Sequence, residues 1–82
     1  MRVLVVEDEI KLGDYLGRAL SENGYVVDIA RDGIEGLRLA TVGQHDLLVL
    51  DVMLPGIDGF GVLRGVRERG HTPVLMLTAR DK

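Results

Sequence analysis

The 82-residue chain has 46% apolar and 28% charged residues and a formal net charge of −3, which suits a globular domain and excludes a disordered tail. The absence of cysteine excludes disulfides, thiolate zinc sites and a cysteine nucleophile. Its basic residues are scattered except for Arg64, Arg67 and Arg69, which Glu68 interrupts, so no nucleic acid contact by this segment is expected.

No apolar run approaches the ~20 residues of a membrane span, so no membrane association is expected. The opening Met1-Arg2-Val3-Leu4 reaches an acid at Glu7, too early for a signal peptide. A cytoplasmic chain with its natural N-terminus is the expectation. Phe60, Tyr15 and Tyr25 are the only aromatic residues, so the core must be aliphatic.

The first element is the run Val3 to Val6, apolar on both faces as a buried parallel strand requires, and ended by Glu7, Asp8 and Glu9. A helix follows, with Leu12, Leu16, Ala19 and Leu20 on one face and Asn23-Gly24 as a left-handed stop. "YVVDIA" alternates only partly around Asp28, which predicts an edge strand with a wetter face. Asp32 and Glu35 have capping-box spacing, opening a helix whose inner stripe is predicted as Ile34, Leu37 and Ala40.

"LLVLDV" is the second fully apolar strand, and it contains Asp51. Asp58 then caps a helix with Gly59, Val62, Leu63 and Val66 inward and Gly70 as its stop. "PVLMLTA" is the last strand. His45 and His71 fall in polar connections without metal-ligand company and are expected at the surface. The glycines of "GFGVLRG" miss dinucleotide-loop spacing and follow no strand.

Regular β-α-β alternation with short connections implies right-handed crossovers and a parallel, doubly wound α/β sheet. In such sheets ligands sit at the carboxyl ends of the strands. Three of the four strands bring polar residues there: Glu7, Asp8 and Glu9 from the first, Asp51 from the third, Thr78 from the fourth. Arg31-Asp32, after the second, is explained by the helix cap. Were the first and third strands neighbours, Glu7, Asp8 and Asp51 would form one acidic pocket. Such like charges repel, and a hard divalent cation such as Mg²⁺ would relieve them.

Together "VVEDE", "LLVLDVMLPGIDGF" and "PVLMLTA" resemble the receiver domain of bacterial two-component response regulators, and the similarity runs the length of the chain. The wording is most similar to DNA-binding regulators of the OmpR/PhoB type, within them to the heavy-metal-responsive branch. The resemblance implies a CheY-like, flavodoxin-like sheet in the order 2-1-3-4. It also implies phosphoryl transfer from a sensor histidine kinase onto Asp51, with Mg²⁺ as cofactor. Asp8 matches the direct metal ligand, Glu7 the acid acting through water, and the backbone carbonyl of Met53 a further ligand. Thr78 matches the switch hydroxyl and the Ala79 backbone N–H a phosphate contact, while Pro55-Gly56 shapes the loop after Asp51. Phosphoryl acceptance of this kind is autocatalytic and not enzymatic turnover.

The family pattern also includes a fifth strand ending in a lysine, two last helices and, in OmpR-type proteins, a DNA-binding effector domain. None of these follows the fourth strand here, and Lys82 cannot be assumed to replace that lysine. Residues 1–82 are therefore expected to be a receiver domain incomplete at its C-terminus, with no effector domain. The open edge of the fourth strand predicts a homodimer or swapped oligomer. Two alternatives stand beside this: a non-competent or domain-swapped fragment, and an aspartyl-phosphate hydrolase. The hydrolase pattern resembles Asp-x-Asp, whereas Met53 stands at the second acid's place.

Overall fold

The computed structural model describes residues 1–77. Seven elements alternate as expected: β1 (Arg2–Val6), α1 (Ile10–Glu22), β2 (Val26–Ala30), α2 (Gly33–Val42), β3 (Leu47–Asp51), α3 (Gly59–Arg69) and β4 (Val74–Leu77). All strand pairs are parallel, in the order β2-β1-β3-β4. β2 is thus an edge strand, as its broken alternation implied.

The two central strands explain themselves by their period of two. Leu4 and Val6 of β1, with Leu48 and Leu50 of β3, point to one face and pack with Val62 and Val66 of α3 and with Leu37 and Ala40 of α2. Val3, Val5 and Val49 point to the other face, where Leu16 and Leu20 of α1 cover them. Both faces of β1 are therefore dry, which is why its sequence shows no polar alternation.

The helix ends follow their local chemistry. Asp32 accepts a hydrogen bond from the Glu35 backbone N–H at 2.8 Å, and Asp58 accepts from the Gly61 N–H at 2.9 Å. The Glu35 carboxylate accepts from Arg38 Nη2 at 2.8 Å, so the predicted box is formed in its capping half. Gly24, at φ 91°, supplies the left-handed stop after α1.

Two expectations need correction. Ile34 is 63% exposed and does not belong to the inner stripe of α2. Gly33 and Gly36 take the buried positions instead, because α2 approaches its neighbours too closely for a side chain: a Cβ on Gly36 would stand 2.7 Å from Val6 Cγ1. His45 is not a surface residue, since its side chain is only 3% exposed. Its Nε2 lies 2.8 Å from Asp28 Oδ2, which also accepts from Arg2 Nη2 at 2.7 Å. That shared carboxylate holds the ring against β2. His71 is exposed as expected.

Candidate functional site

Strand register creates the site. Val5 of β1 pairs with Val49 of β3, so two residues further on Glu7 and Asp51 share the same face and the same level. Glu7 continues β1 by donating its N–H to the Ala30 carbonyl at 2.9 Å, and Asp51 is the last residue of β3. Asp8 follows at the rim. One carboxylate oxygen from each of Glu7, Asp8 and Asp51 lies within 4.8 Å of the others.

The environments of these acids differ. Glu7 and Asp51 are buried, at 0% and 2% exposure, while Asp8 is open to solvent. Glu7 Oε2 accepts from the Glu9 N–H at 3.0 Å, which ties the loop after β1 to its own acid. Asp51 Oδ1 accepts from the Met53 N–H at 3.1 Å, so the turn after β3 folds back over the carboxylate. Next, the Gly59 N–H donates to the Val52 carbonyl at 3.0 Å and draws the start of α3 against the strand end. An acid can stand in the apolar run "LLVLDVMLPG" because Asp51 is the last strand position, where the Met53 N–H and the other acids meet it.

The sequence-predicted site residues up to Gly56 can be placed. The structure brings Glu7, Asp8 and Asp51 together and puts Met53 in the turn above Asp51, its side chain 58% exposed. Pro55 and Gly56 lie exposed in the loop leading to the Asp58 cap, and Gly56 has φ 75°. Beside Asp8 this loop walls a shallow, mostly apolar depression, lined also by Leu54 and Phe60. Leu77 of β4 pairs with Asp51 at the same sheet edge. Thr78 and Ala79 lie outside the described residues.

The donor set can be tested against the implied cation. Three converging carboxylates offer hard oxygen ligands and no nitrogen or sulfur, which fits Mg²⁺ and disfavours softer metals. Sequence reading overlooked Gly13, which borders Glu7, and underused Arg31, which lies over Gly13. Gly13 is buried on α1, and a Cβ there would stand 3.7 Å from Glu7 Cβ. A glycine amid an otherwise regular helical stripe was the available signal.

Comparison with known proteins agrees with this geometry. The family model for the response regulator receiver domain matches residues 3–82. The transcriptional activator protein IrlR of Burkholderia pseudomallei is 53% identical over 81 residues, covering 99% of this chain and 35% of that protein. The transcriptional regulatory protein PcoR of Escherichia coli is 52% identical over 81 residues, covering 98% of this chain and 36% of that protein. The chain spans about a third of the length of these curated relatives.

Among solved structures, a Francisella response regulator receiver domain superposes with a TM-score of 0.91 at 35% identity, covering 99% of this chain and 68% of that one. The response regulator TrrA of Thermotoga maritima, solved in complex with Mg²⁺-BeF, gives 0.90 at 38% identity, covering 96% and 70%. The likeness to OmpR/PhoB-type, heavy-metal-responsive regulators read from the motifs is upheld at this level of identity. Matched along almost its whole length and folded with the CheY-like sheet order its motifs implied, the chain belongs to the receiver domains of two-component response regulators.

Proposed function

We propose that this receiver segment accepts a phosphoryl group on Asp51 from the phosphohistidine of a sensor histidine kinase. The observation that carries the reading is the convergence of Glu7, Asp8 and Asp51 at the ends of two neighbouring strands. In the transfer an Asp51 carboxylate oxygen attacks phosphorus, an O–P bond forms, and the N–P bond to the donor histidine breaks. Asp8 and Asp51 would hold Mg²⁺ directly, with the Met53 backbone carbonyl as a further ligand and Glu7 acting through water. Bound there, Mg²⁺ supplies neutralisation of oxyanion charge on the transferring group.

The chain's own residues do the remaining work. The Met53 N–H holds one Asp51 oxygen in place. Burial of Asp51 at the strand end limits access of water to the nucleophile and the acyl phosphate it forms. Pro55 and Gly56 hold the loop that walls the entry. Thr78 and the Ala79 backbone N–H are assigned to binding the phosphoryl group and reporting its arrival. The product adds charge and acceptor oxygens where two acids already meet, which biases the surrounding loops towards a second arrangement.

The segment acts as the receiver part of a longer, cytoplasmic transcriptional regulator with a DNA-binding output domain. Support comes from relatives named as transcriptional regulators that are about three times its length. The test is intact-mass measurement after incubation with acetyl phosphate and Mg²⁺. One phosphoryl addition is expected on the wild type and none on Asp51→Asn. An addition that persists in Asp51→Asn would remove Asp51 from the reaction.

A further inference from the structure

The β2–α2 connection carries a cation that the metal and phosphoryl reading does not use. Arg31 follows the last residue of β2 and reaches across to the first turns of α1. Its Nη2 lies 2.7 Å from Asp14 Oδ1, and its Nη1 donates to the Ile10 carbonyl at 3.4 Å. The guanidinium lies over Gly13, where a Cβ would stand 2.5 Å from Nη1 and 3.7 Å from Glu7 Cβ. Arg31 and the Glu7 side chain therefore press on the same patch of α1 backbone, which only the missing side chain of Gly13 leaves open.

These bonds join the first turns of α1 to the end of β2. The N-cap residue of α1, Glu9, makes no side-chain capping bond, and no acid stands in the first turn to favour the helix dipole. The loop Glu7-Asp8-Glu9 joins β1 to this turn, with the Glu9 N–H bonded to Glu7 Oε2. An Arg31–Asp14 pair with side chains 40% and 57% exposed adds little to global stability, since water screens it. Its effect lies in geometry, because the planar guanidinium holds its donors in a fixed fork, whereas a lysine ammonium is a compact charge with three rotating donors.

We infer that Arg31, seated over Gly13 and bonded to Asp14 and Ile10, is a positioning residue that fixes the Glu7-Asp8 loop for cation binding. This rests on the metal reading of the acidic cluster, and the two are separable by experiment. Arg31→Lys keeps the charge and removes the fork, so a change in this variant reports geometry and not field strength. In the full chain without metal, amide exchange at Glu9 and Gly13 reads the loop and first turn, because those N–H groups donate to Glu7 Oε2 and to the Glu9 carbonyl. The Val62 amide, bonded to the Asp58 carbonyl on α3, is the internal control.

Arg31→Lys is expected to exchange severalfold faster at Glu9 and Gly13 and equally at Val62, and to bind Mg²⁺ about tenfold more weakly by calorimetric titration. Wild-type exchange at Glu9 and Gly13, or acceleration shared by Val62, overturns the inference. So does an unchanged Mg²⁺ affinity where the wild type binds the ion. Should the wild type bind no Mg²⁺ while exchange changes as stated, the positioning role stands and the metal reading falls.

Discussion

Gly59 opens α3 with its Cα pressed against the carbonyl of Asp51, leaving no space for a side chain. A Cβ there would collide with that oxygen and stand 2.8 Å from the Cα of Val52. Both obstacles are backbone, so neither can rotate away. Overpacking costs about 1–3 kcal/mol, whereas the gain in helix propensity from alanine is at most about 1 kcal/mol. Gly59→Ala should therefore lower the urea midpoint and slow phosphoryl acceptance together. Gly70→Ala, with open space around it, should stay within about 0.5 kcal/mol of wild type.

Leu50 and Leu75 lie on neighbouring strands and differ in what they touch. Leu50 is fully buried between the sheet and the α2–α3 layer, while Leu75 is 55% exposed. Leu50→Ala should cost about 2–5 kcal/mol in denaturant unfolding, the range for a core leucine. Leu75→Ala should fall within about 0.5 kcal/mol of wild type, as for ordinary surface changes. Equal losses at the two positions would contradict the placement of β4.

Clustered carboxylates predict a reversal of stability order with Mg²⁺. Without the ion, Asp8→Asn removes one of three like charges within 4.8 Å and should raise the thermal midpoint. With Mg²⁺ at a hundredfold above its Kd, the wild type should gain about 2.7 kcal/mol and the variant much less. Paired thermal melts with and without the ion read both effects. A wild-type midpoint indifferent to Mg²⁺ would remove the ion from the site.

Asp28 gives a dependence on pH. The hydrogen bond from His45, then that from Arg2, holds its carboxyl below the usual carboxylate range, against a smaller opposing effect of burial. A carboxyl lowered on folding stabilises the fold in full above its unfolded value, about 3.9, and loses that contribution as pH falls through the folded value. Its side chain is 37% exposed, so the amplitude should be about 1 kcal/mol or less. Urea midpoints of wild type and Asp28→Asn should differ at pH 6 and converge towards pH 3.

Much of this architecture was legible in the chain. Two dry apolar runs ending in acids defined the central strands, and their ends are where the cluster forms. Asp58 and Asn23-Gly24 marked helix ends through local bonds, which depend on near neighbours alone. Positions set by distant partners were not legible. Ile34 looked like a core residue by its spacing, but the close approach of α2 to Val6 turned the glycine side inward. His45 lacked any local signal, because the carboxylate that buries it lies on β2. Gly13 passed unnoticed, because the guanidinium that needs its bare backbone comes from the end of β2.

The shared bonds of Arg2 and His45 to Asp28 also bear on strand alignment. β2 pairs only with β1 among the described residues, through Leu4↔Asp28 and its neighbours. Val27 and Ile29 pack beside Val3 and Val5 and already favour one register. A slip of one residue would carry Asp28 to the opposite face, away from both Arg2 and His45, and put Val27 or Ile29 against the guanidinium. The shared carboxylate thus works as a key that admits a single alignment of β2. Through Ala30 and Glu7, that alignment also sets where the first acid of the site stands.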